Sequence, residues 1–241
     1  MGIDELKKKV YAANIELVER GLVIYTWGNV SAIDRERGII AIKPKGVEYA
    51  DLEWQDMSVT DLSGKVIDDN PLLPSVDLDY HIAMYNKFEK AGGIAHTHSV
   101  YATVFAQTMT PIPCFGTTHA DHFYGEIPCL PYLSEREVVD NYEYNAGKQI
   151  TDHFEEKGID PESMRAVLCG GHGPFTWGKD AAEAVEMSVI LEEVAKMAYL
   201  TKTLNVSTTP LPQYITDKHY LRKYGAGAYF YQEKKKGIPE A

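Results

Sequence analysis

Two histidines stand two residues apart at the end of a short apolar run, in the sequence Gly-Ile-Ala-His-Thr-His at positions 93–98. Side chains alternate between the two faces of a β-strand, so His96 and His98 point the same way if this run is a strand. A third histidine, His172, follows another apolar run, residues 166–168, in a glycine-rich segment. Three imidazoles that leave a position open for an outside ligand are typical of a catalytic zinc site. The pattern therefore predicts a metal site built from the ends of two strands.

Other side chains compete for the ligand positions of such a site. Asp77, near the start of a helical pattern, is the acidic candidate for a fourth ligand, and His81 lies four residues after it. His119 and His122 lie together in a later polar segment. Histidines two residues apart also occur on protein surfaces and as satisfied pairs in cores. Spacing alone therefore does not select the ligands.

The net charge excludes some classes of partner. The 241 residues carry a formal charge of −11, with a pI near 5.2. A chain this acidic is not expected to bind nucleic acid or a membrane surface as its main partner. An anionic substrate would need a local group of donors.

The cysteines indicate a reducing compartment. The sequence has three cysteines, which are far apart and show no C-x-x-C spacing, namely Cys114, Cys129 and Cys169. This pattern does not fit a disulfide framework and favours free thiols in the reducing cytoplasm. No signal peptide opens the sequence, and no apolar run approaches the roughly 18 residues of a membrane-spanning helix. We therefore expect a cytoplasmic protein.

The periodicity of apolar residues predicts one α/β domain over residues 1–232, with a mixed or antiparallel central sheet and a charged, frayed end at 233–241. Helices are expected at 77–88 and 180–202, and Ser134 with Glu137 has the form of a capping box that opens a long helix. Leu22–Ile24 is predicted as a strand and Trp27–Ser31 as a turn.

Two loop segments could bind an anion. Lys43 and Lys45 flank a proline before Gly46, where a glycine allows close approach of the backbone. Ser75 and the amides that follow it, including that of Val76, stand at a predicted helix start. Each segment alone is more often a turn than a phosphate site.

Asp121 lies in the segment Thr-Thr-His-Ala-Asp-His at 117–122. A carboxylate among hydroxyls and imidazoles could be a general acid or base, or part of a capped loop. His219, farther along the chain, is interpreted as a solvated helix histidine.

Four motifs, taken together, resemble the class II aldolase family. In chain order they are Thr26-Trp27-Gly28-Asn29-Val30-Ser31, Gly92-Gly93-Ile94 with His96-Thr97-His98, Gly116-Thr117-Thr118-His119-Ala120-Asp121, and His172-Gly173-Pro174-Phe175 with Trp177-Gly178-Lys179. Two further segments, 191–195 and 217–223, resemble the L-ribulose-5-phosphate 4-epimerase branch of that family. The match runs in order from about residue 4 to residue 232.

The resemblance implies an α/β/α fold with a central, mainly antiparallel sheet, and a homotetramer whose active sites lie between adjacent subunits. It implies one Zn²⁺ per subunit, with Mn²⁺ or Co²⁺ as alternatives. The implied metal ligands are Asp77, His96, His98 and His172. The implied phosphate pocket contains Gly28, Asn29, Lys45, Gly46, Ser75 and Val76, to which Lys43 adds charge, and the implied acid/base group is Asp121.

The implied reaction interconverts L-ribulose 5-phosphate and D-xylulose 5-phosphate by breaking and re-forming the C3–C4 bond. The alternative is an aldolase or epimerase that acts on another phosphorylated ketose or on a sugar acid. A third interpretation is a non-catalytic scaffold. Cytoskeletal proteins with this head domain lack the metal histidines, so the histidines retained here argue against it.

The sequence departs from the branch at three positions. Lys45 and Val76 replace two serines of the phosphate pocket, and Phe230 replaces the tyrosine that acts as the second acid/base. Phenylalanine cannot transfer a proton. Either a neighbouring tyrosine takes this role, Tyr231 in preference to Tyr229, or the substrate or the reaction has shifted.

Overall fold

Seven strands pair into one sheet in the computed structural model, which describes residues 2–229. They are β1 (Gly28–Asp34), β2 (Ile39–Ile42), β3 (Ser58–Asp61), β4 (Gly93–Thr97), β5 (Cys129–Leu130), β6 (Ala166–Cys169) and β7 (Gly173–Gly178). The order across the sheet is β3-β2-β1-β4-β7-β6-β5, and every neighbouring pair is antiparallel except β5 and β6. The expected mainly antiparallel sheet is confirmed.

Helices cover both faces of this sheet. They are α1 (Ile3–Glu19), α2 (Leu78–Lys87), α3 (Val100–Gln107), α4 (Thr117–Ala120), α5 (Glu135–Lys157), α6 (Ala181–Leu204) and α7 (Gln213–Tyr224). Alternation along β7 shows the layering, because the Thr176 hydroxyl donates to a carbonyl of α6 while Trp177 packs between Phe88 and Phe154 on the opposite side. Helices α1 and α6 therefore cover one face and α2 and α5 the other, as the α/β/α expectation requires.

Strand β1 corrects two predictions. The strand begins at Gly28, inside the predicted turn Trp27–Ser31, and Leu22–Ile24 is not a strand. All seven residues of β1 are buried, because the strand is central and covered on both faces, so it lacks the alternation that marks a half-exposed strand. At Gly28 a Cβ atom would lie 2.6 Å from the carbonyl oxygen of His96, so glycine allows β1 to start against β4.

The helix caps follow the sequence. Ser134 and Glu137 form the predicted capping box, with the Ser134 hydroxyl accepting from the Glu137 amide. Within residues 2–229 no helix combines the length and apolar character needed to cross a membrane. The predicted domain end at 232 and the charged segment 233–241 lie outside the described residues and stay predictions.

Candidate metal centre

Three histidines meet where β4 ends and β7 begins. His96 lies on β4 opposite Phe175 of β7, His98 follows the end of β4, and His172 lies in the turn between β6 and β7. One ring nitrogen of each histidine lies within 4.8 Å of the other two, and the Nε2 atoms of His96 and His98 are 3.1 Å apart. A Cβ atom at Gly173 would lie 2.6 Å from the carbonyl oxygen of Thr97, so this glycine permits the close approach. The predicted histidine cluster is confirmed.

The hydrogen bonds of His96 leave one nitrogen available for a metal. Its Nδ1 lies 2.9 Å from the carbonyl oxygen of Pro174, which can only accept, so Nδ1 carries the proton and Nε2 keeps its lone pair. Burial lowers the pKa of His96 to about 3, an effect that His98 reinforces and the Pro174 bond opposes. Burial, with His96 and His98, also lowers the pKa of His172 to about 3. Neutral imidazoles are the form that binds a metal, so the three side chains fit a divalent ion.

Aromatic rings hold the histidines in place. Phe175 stacks on His96 with ring centroids 4.3 Å apart. The Tyr80 hydroxyl lies 3.4 Å from Nδ1 of His172, and the ring of Tyr142 lies 6.2 Å from that of His172. This packing restricts the rotamers of the candidate ligands before any ion binds.

The competing histidines bond elsewhere. Nδ1 of His81 lies 2.6 Å from the Ser31 hydroxyl, and Nε2 of His119 lies 2.7 Å from the Gly125 carbonyl oxygen. His122 contacts the Lys223 ammonium group. The fold thus makes the selection among histidines that the sequence left open.

Asp77 stands at the start of α2, beside the cluster. Its Oδ2 accepts from the side-chain amide of Asn29 at 2.5 Å and from the Ser75 hydroxyl at 3.4 Å. Its negative charge partly offsets the effect of burial on the pKa values of His98 and His172. Its role as a fourth ligand stays a prediction.

The segments predicted to hold phosphate lie against one another. The Lys45 amide donates to the Leu73 carbonyl and the Ser75 amide to the Lys43 carbonyl, both at 3.0 Å. The Asn29 amide group donates to the Ser75 hydroxyl at 3.2 Å. The fold therefore brings together the segments that carry the predicted set, namely Gly28, Asn29, Lys43, Lys45, Gly46, Ser75 and Val76.

Two side chains of this set have particular surroundings. Val76 is 63% exposed and carries no side-chain donor. Lys43 is 3% exposed, its ammonium group donates to the carbonyl oxygen of Val47, and burial lowers its pKa. Positive charge from Lys43 is therefore directed into its own loop.

Asp121 forms a second cluster with α7. Its carboxylate accepts two hydrogen bonds from Nη2 of Arg222, at 2.8 and 2.9 Å, and one from Nδ1 of His219 at 3.2 Å. Burial alone would raise the pKa of Asp121, but the bonds from Arg222 and His219 and the charge of Lys223 outweigh it, and the pKa lies below its ordinary value. The interpretation of His219 as a solvated histidine is wrong, because its partner stands 98 residues earlier in the chain and no local pattern reveals it.

The candidates for the second acid/base lie at the chain end. Tyr229 is 64% exposed, its amide donates to the Arg222 carbonyl, and the Lys218 ammonium lies 5.3 Å from its ring centroid. Tyr231 and Phe230 lie outside the described residues.

Comparison with known proteins relates the chain to one family. Residues 8–199 match the family model described as Class II Aldolase and Adducin N-terminal domain. The chain is 46% identical over 231 residues to L-ribulose-5-phosphate 4-epimerase UlaF of Salmonella paratyphi C (strain RKS4594), which covers 96% of this chain and 100% of the relative. The protein of the same name from Salmonella choleraesuis (strain SC-B67) gives the same values.

Solved structures share the fold. An L-fuculose 1-phosphate aldolase superposes with a TM-score of 0.77 at 26% identity, covering 93% of this chain and 98% of that one. The L-fuculose 1-phosphate aldolase from Glaciozyma antarctica PI12 has a TM-score of 0.72 at 18% identity, with 90% and 80% covered, which bears on the fold alone. Because the family model matches residues 8–199 and the fold assembles the histidine cluster, the chain belongs to the class II aldolase family.

Proposed function

We propose that the protein is a metal-dependent L-ribulose-5-phosphate 4-epimerase, which interconverts L-ribulose 5-phosphate and D-xylulose 5-phosphate. The observation that carries the proposal is the 46% identity to UlaF over nearly the full chain. The assembled histidine cluster supports it, because a scaffold protein has no need of three neutral imidazoles around one point.

His96, His98 and His172 hold the ion in this proposal, with Asp77 as the fourth ligand. We take the ion to be Zn²⁺, with Mn²⁺ and Co²⁺ as alternatives, because imidazole nitrogens suit these metals. When bound, a divalent ion supplies a Lewis acid that stabilises negative charge on substrate oxygens.

The other residues bind the substrate and move protons. Asn29, Ser75 and Gly46 hold the phosphate, and Lys45 supplies charge that Val76 cannot. Asp121, whose carboxylate is ionised at neutral pH, accepts the proton of the C4 hydroxyl. Epimerisation needs a second proton-transfer group on the opposite face of the aldehyde, and we assign it to Tyr231 rather than Tyr229.

A homotetramer would bring these parts together. The hydrogen-bond partners of Asp121 are Arg222 and His219 rather than the histidine cluster of its own chain, which supports a site completed by a neighbouring subunit. We propose that active sites lie between adjacent subunits and that the enzyme works in the cytoplasm. Light scattering of the purified protein should give the mass of four chains, and a fully active monomer would contradict this arrangement.

Incubation with L-ribulose 5-phosphate tests the reaction. Formation of D-xylulose 5-phosphate supports the epimerase. Release of free aldehyde would instead support an aldolase. No turnover of this sugar would shift the assignment to another phosphorylated ketose or a sugar acid.

Two sets of variants test the proton-transfer groups. Asp121→Asn should keep the metal and lower turnover by roughly 10²- to 10⁴-fold, the usual contribution of such a group. Turnover close to that of the wild type would mean that Asp121 is structural.

Tyr231→Phe should lower turnover far more than Tyr229→Phe, and equal loss in both would leave the second group unassigned.

A further inference from the structure

A chain of buried polar groups lies between β1 and α2, behind the candidate site. The Ser31 hydroxyl is 2.6 Å from Nδ1 of His81 and 2.8 Å from the Tyr85 hydroxyl. All three side chains are fully buried, with at most 1% exposed. Neither the metal cluster nor the phosphate-binding loops use any of these groups.

Two buried polar atoms in or beside this group of side chains lack a hydrogen-bond partner. Among residues 2–229, Nε2 of His81 and Oδ1 of Asn29 are both buried and accept or donate no hydrogen bond. Asn29 and Ser31 are two residues apart on β1, so both side chains project from the same face, towards α2. The charge of Asp77, which accepts from Asn29, also acts on His81. The two unpartnered atoms therefore belong to one polar region.

Their chemistry is complementary in one tautomer of His81. The ring of His81 is fully buried beside two hydroxyl groups and carries a single N–H. If Tyr85 donates to Ser31 and Ser31 donates to Nδ1, the proton of His81 is on Nε2, a donor for the acceptor oxygen of Asn29. The other tautomer would leave Nε2 and Oδ1 as two buried acceptors without a donor, which is costly.

We propose that His81 is a positioning residue whose Nε2–H, through one bridging water molecule, holds the carboxamide of Asn29 and thereby the carboxylate of Asp77. The amide nitrogen of Asn29 lies 2.5 Å from Asp77 and 3.2 Å from the Ser75 hydroxyl, so a fixed carboxamide aligns both groups. His81 thus acts on Asp77 and Ser75 through the side chain of Asn29, and its ring contacts neither the ion nor the phosphate. The inference rests on the proposed ligand role of Asp77.

Two variants of His81 separate the nitrogens. His81→Asn places an amide near the position of Nδ1 and removes the group at Nε2, whereas His81→Gln places a donor near Nε2. Zinc is titrated from the loaded protein into a chromophoric chelator, with circular dichroism as the check on folding. We expect His81→Asn to weaken zinc binding by about 10- to 100-fold, the usual effect of losing a group that orients a ligand, and His81→Gln to recover most of the affinity.

Tyr85→Phe is the matched control. It removes the far end of the same buried chain, so it should lower the thermal midpoint while changing zinc affinity far less than His81→Asn. Loss of stability in His81→Asn with wild-type zinc affinity would mean that His81 only packs the core, and would overturn the proposal. Equal loss of affinity in His81→Asn and His81→Gln would overturn it as well.

The tautomer provides a readout on the wild-type protein itself. Nitrogen-15 NMR of histidine-labelled wild type, with His81→Gln used for assignment, should show the proton of His81 on Nε2. A proton on Nδ1 would overturn the proposal. Both readouts are independent of the sugar, so failure of the epimerase assay alone would remove the proposed substrate and leave this inference standing.

Discussion

At the scale of single residues, the backbone decides which nitrogen of His96 faces the metal position. The Pro174 carbonyl oxygen accepts from Nδ1 of His96, and His96 is only 1% exposed, so its ring cannot turn. A carbonyl that orients a ligand in this way usually also raises its basicity. The same carbonyl allows a substitution that removes only the metal-binding atom.

His96→Asn should empty the metal site and keep the fold. The asparagine amide can still donate to the Pro174 carbonyl, whereas the atom equivalent to Nε2 is lost. Elemental analysis should find about one divalent ion per wild-type chain and almost none in the variant. His153→Asn, on the partly exposed side of α5, is the control and should retain the ion. Full occupancy in His96→Asn would remove His96 from the ligand set.

Buried histidines also predict a pH dependence of stability. Burial lowers the pKa of His81 from 6.5 to about 3 and that of His119 to about 4. Below pH 6.5 the unfolded chain therefore binds protons that the native chain does not, and the free energy of unfolding falls as the pH falls. At pH 5.5 the loss is about 1.4 kcal/mol for each of the two groups.

Urea unfolding of the metal-free protein at pH 7.5 and pH 5.5 measures this loss together with that of His96 and His172, whose pKa values burial also lowers. The window lies above the ordinary range of carboxyl groups, so ion pairs such as that of Asp121 with Arg222 stay intact within it. Equal free energies of unfolding at the two pH values would contradict the assignment of neutral buried histidines.

At the scale of elements, a side chain of α6 fixes the start of α3. The carboxylate oxygens of Glu192 accept from the amides of Tyr101 and Ala102, at 2.8 and 3.0 Å. A negative charge at a helix N-terminus satisfies free amides and complements the helix dipole. Because α3 begins at Val100, two residues after His98, this contact also sets where the end of β4 lies.

Glu192→Ala should destabilise the protein by about 3 kcal/mol, because two hydrogen bonds to a charged acceptor are lost. Urea unfolding monitored by circular dichroism measures the change. Glu193→Ala, an exposed neighbour on the same helix, should change stability by less than about 0.5 kcal/mol. Similar values for the two variants would show that the carboxylate does not anchor α3.

The sequence predicts some elements and misses others for definite reasons. The strand that carries His96 is recognisable, because an apolar run ends in polar residues at a spacing of two. Strand β1 is missed because its seven residues are all buried, so Asn29 and Ser31 are interpreted as part of a turn. The pairing of Asp121 with His219 cannot be predicted, since packing of α4 against α7 decides it.

At the scale of the whole molecule, the metal would connect distant parts of the chain. His96 lies on β4 and its hydrogen-bond partner Pro174 is 78 residues later, next to His172. An ion bound at this junction stabilises the native state by an amount that grows with the logarithm of its free concentration divided by its dissociation constant. This stabilisation acts on the fold as a whole, because the proposed histidine ligands lie at the end of β4 and in the turn before β7, which are distant in the sequence.

Removal of the ion should therefore lower the thermal midpoint. Free metal at 100 times its dissociation constant contributes about 2.7 kcal/mol, and a chain of this size loses roughly 2–4 °C per kcal/mol. Differential scanning calorimetry with and without a chelator should show a decrease of about 5–11 °C. The midpoint of His96→Asn should not respond to the chelator. An unchanged midpoint in metal-stripped wild type would show that the ion contributes nothing to folding.

The order of the strands also determines which of them can pair while the chain is still being synthesised. The three central neighbours β1, β4 and β7 occupy residues 28–34, 93–97 and 173–178, so the middle of the sheet closes only after the ribosome has released residue 178. Strands β1, β2 and β3 can pair early, because they follow one another in the chain, whereas β4 must wait for its second partner. Pairing across such separations is slow and leaves apolar strand edges exposed during translation. A nascent chain that stops before Gly173 has no β7 for β4 to pair with, so the ion can enter the complete three-histidine site only late in translation.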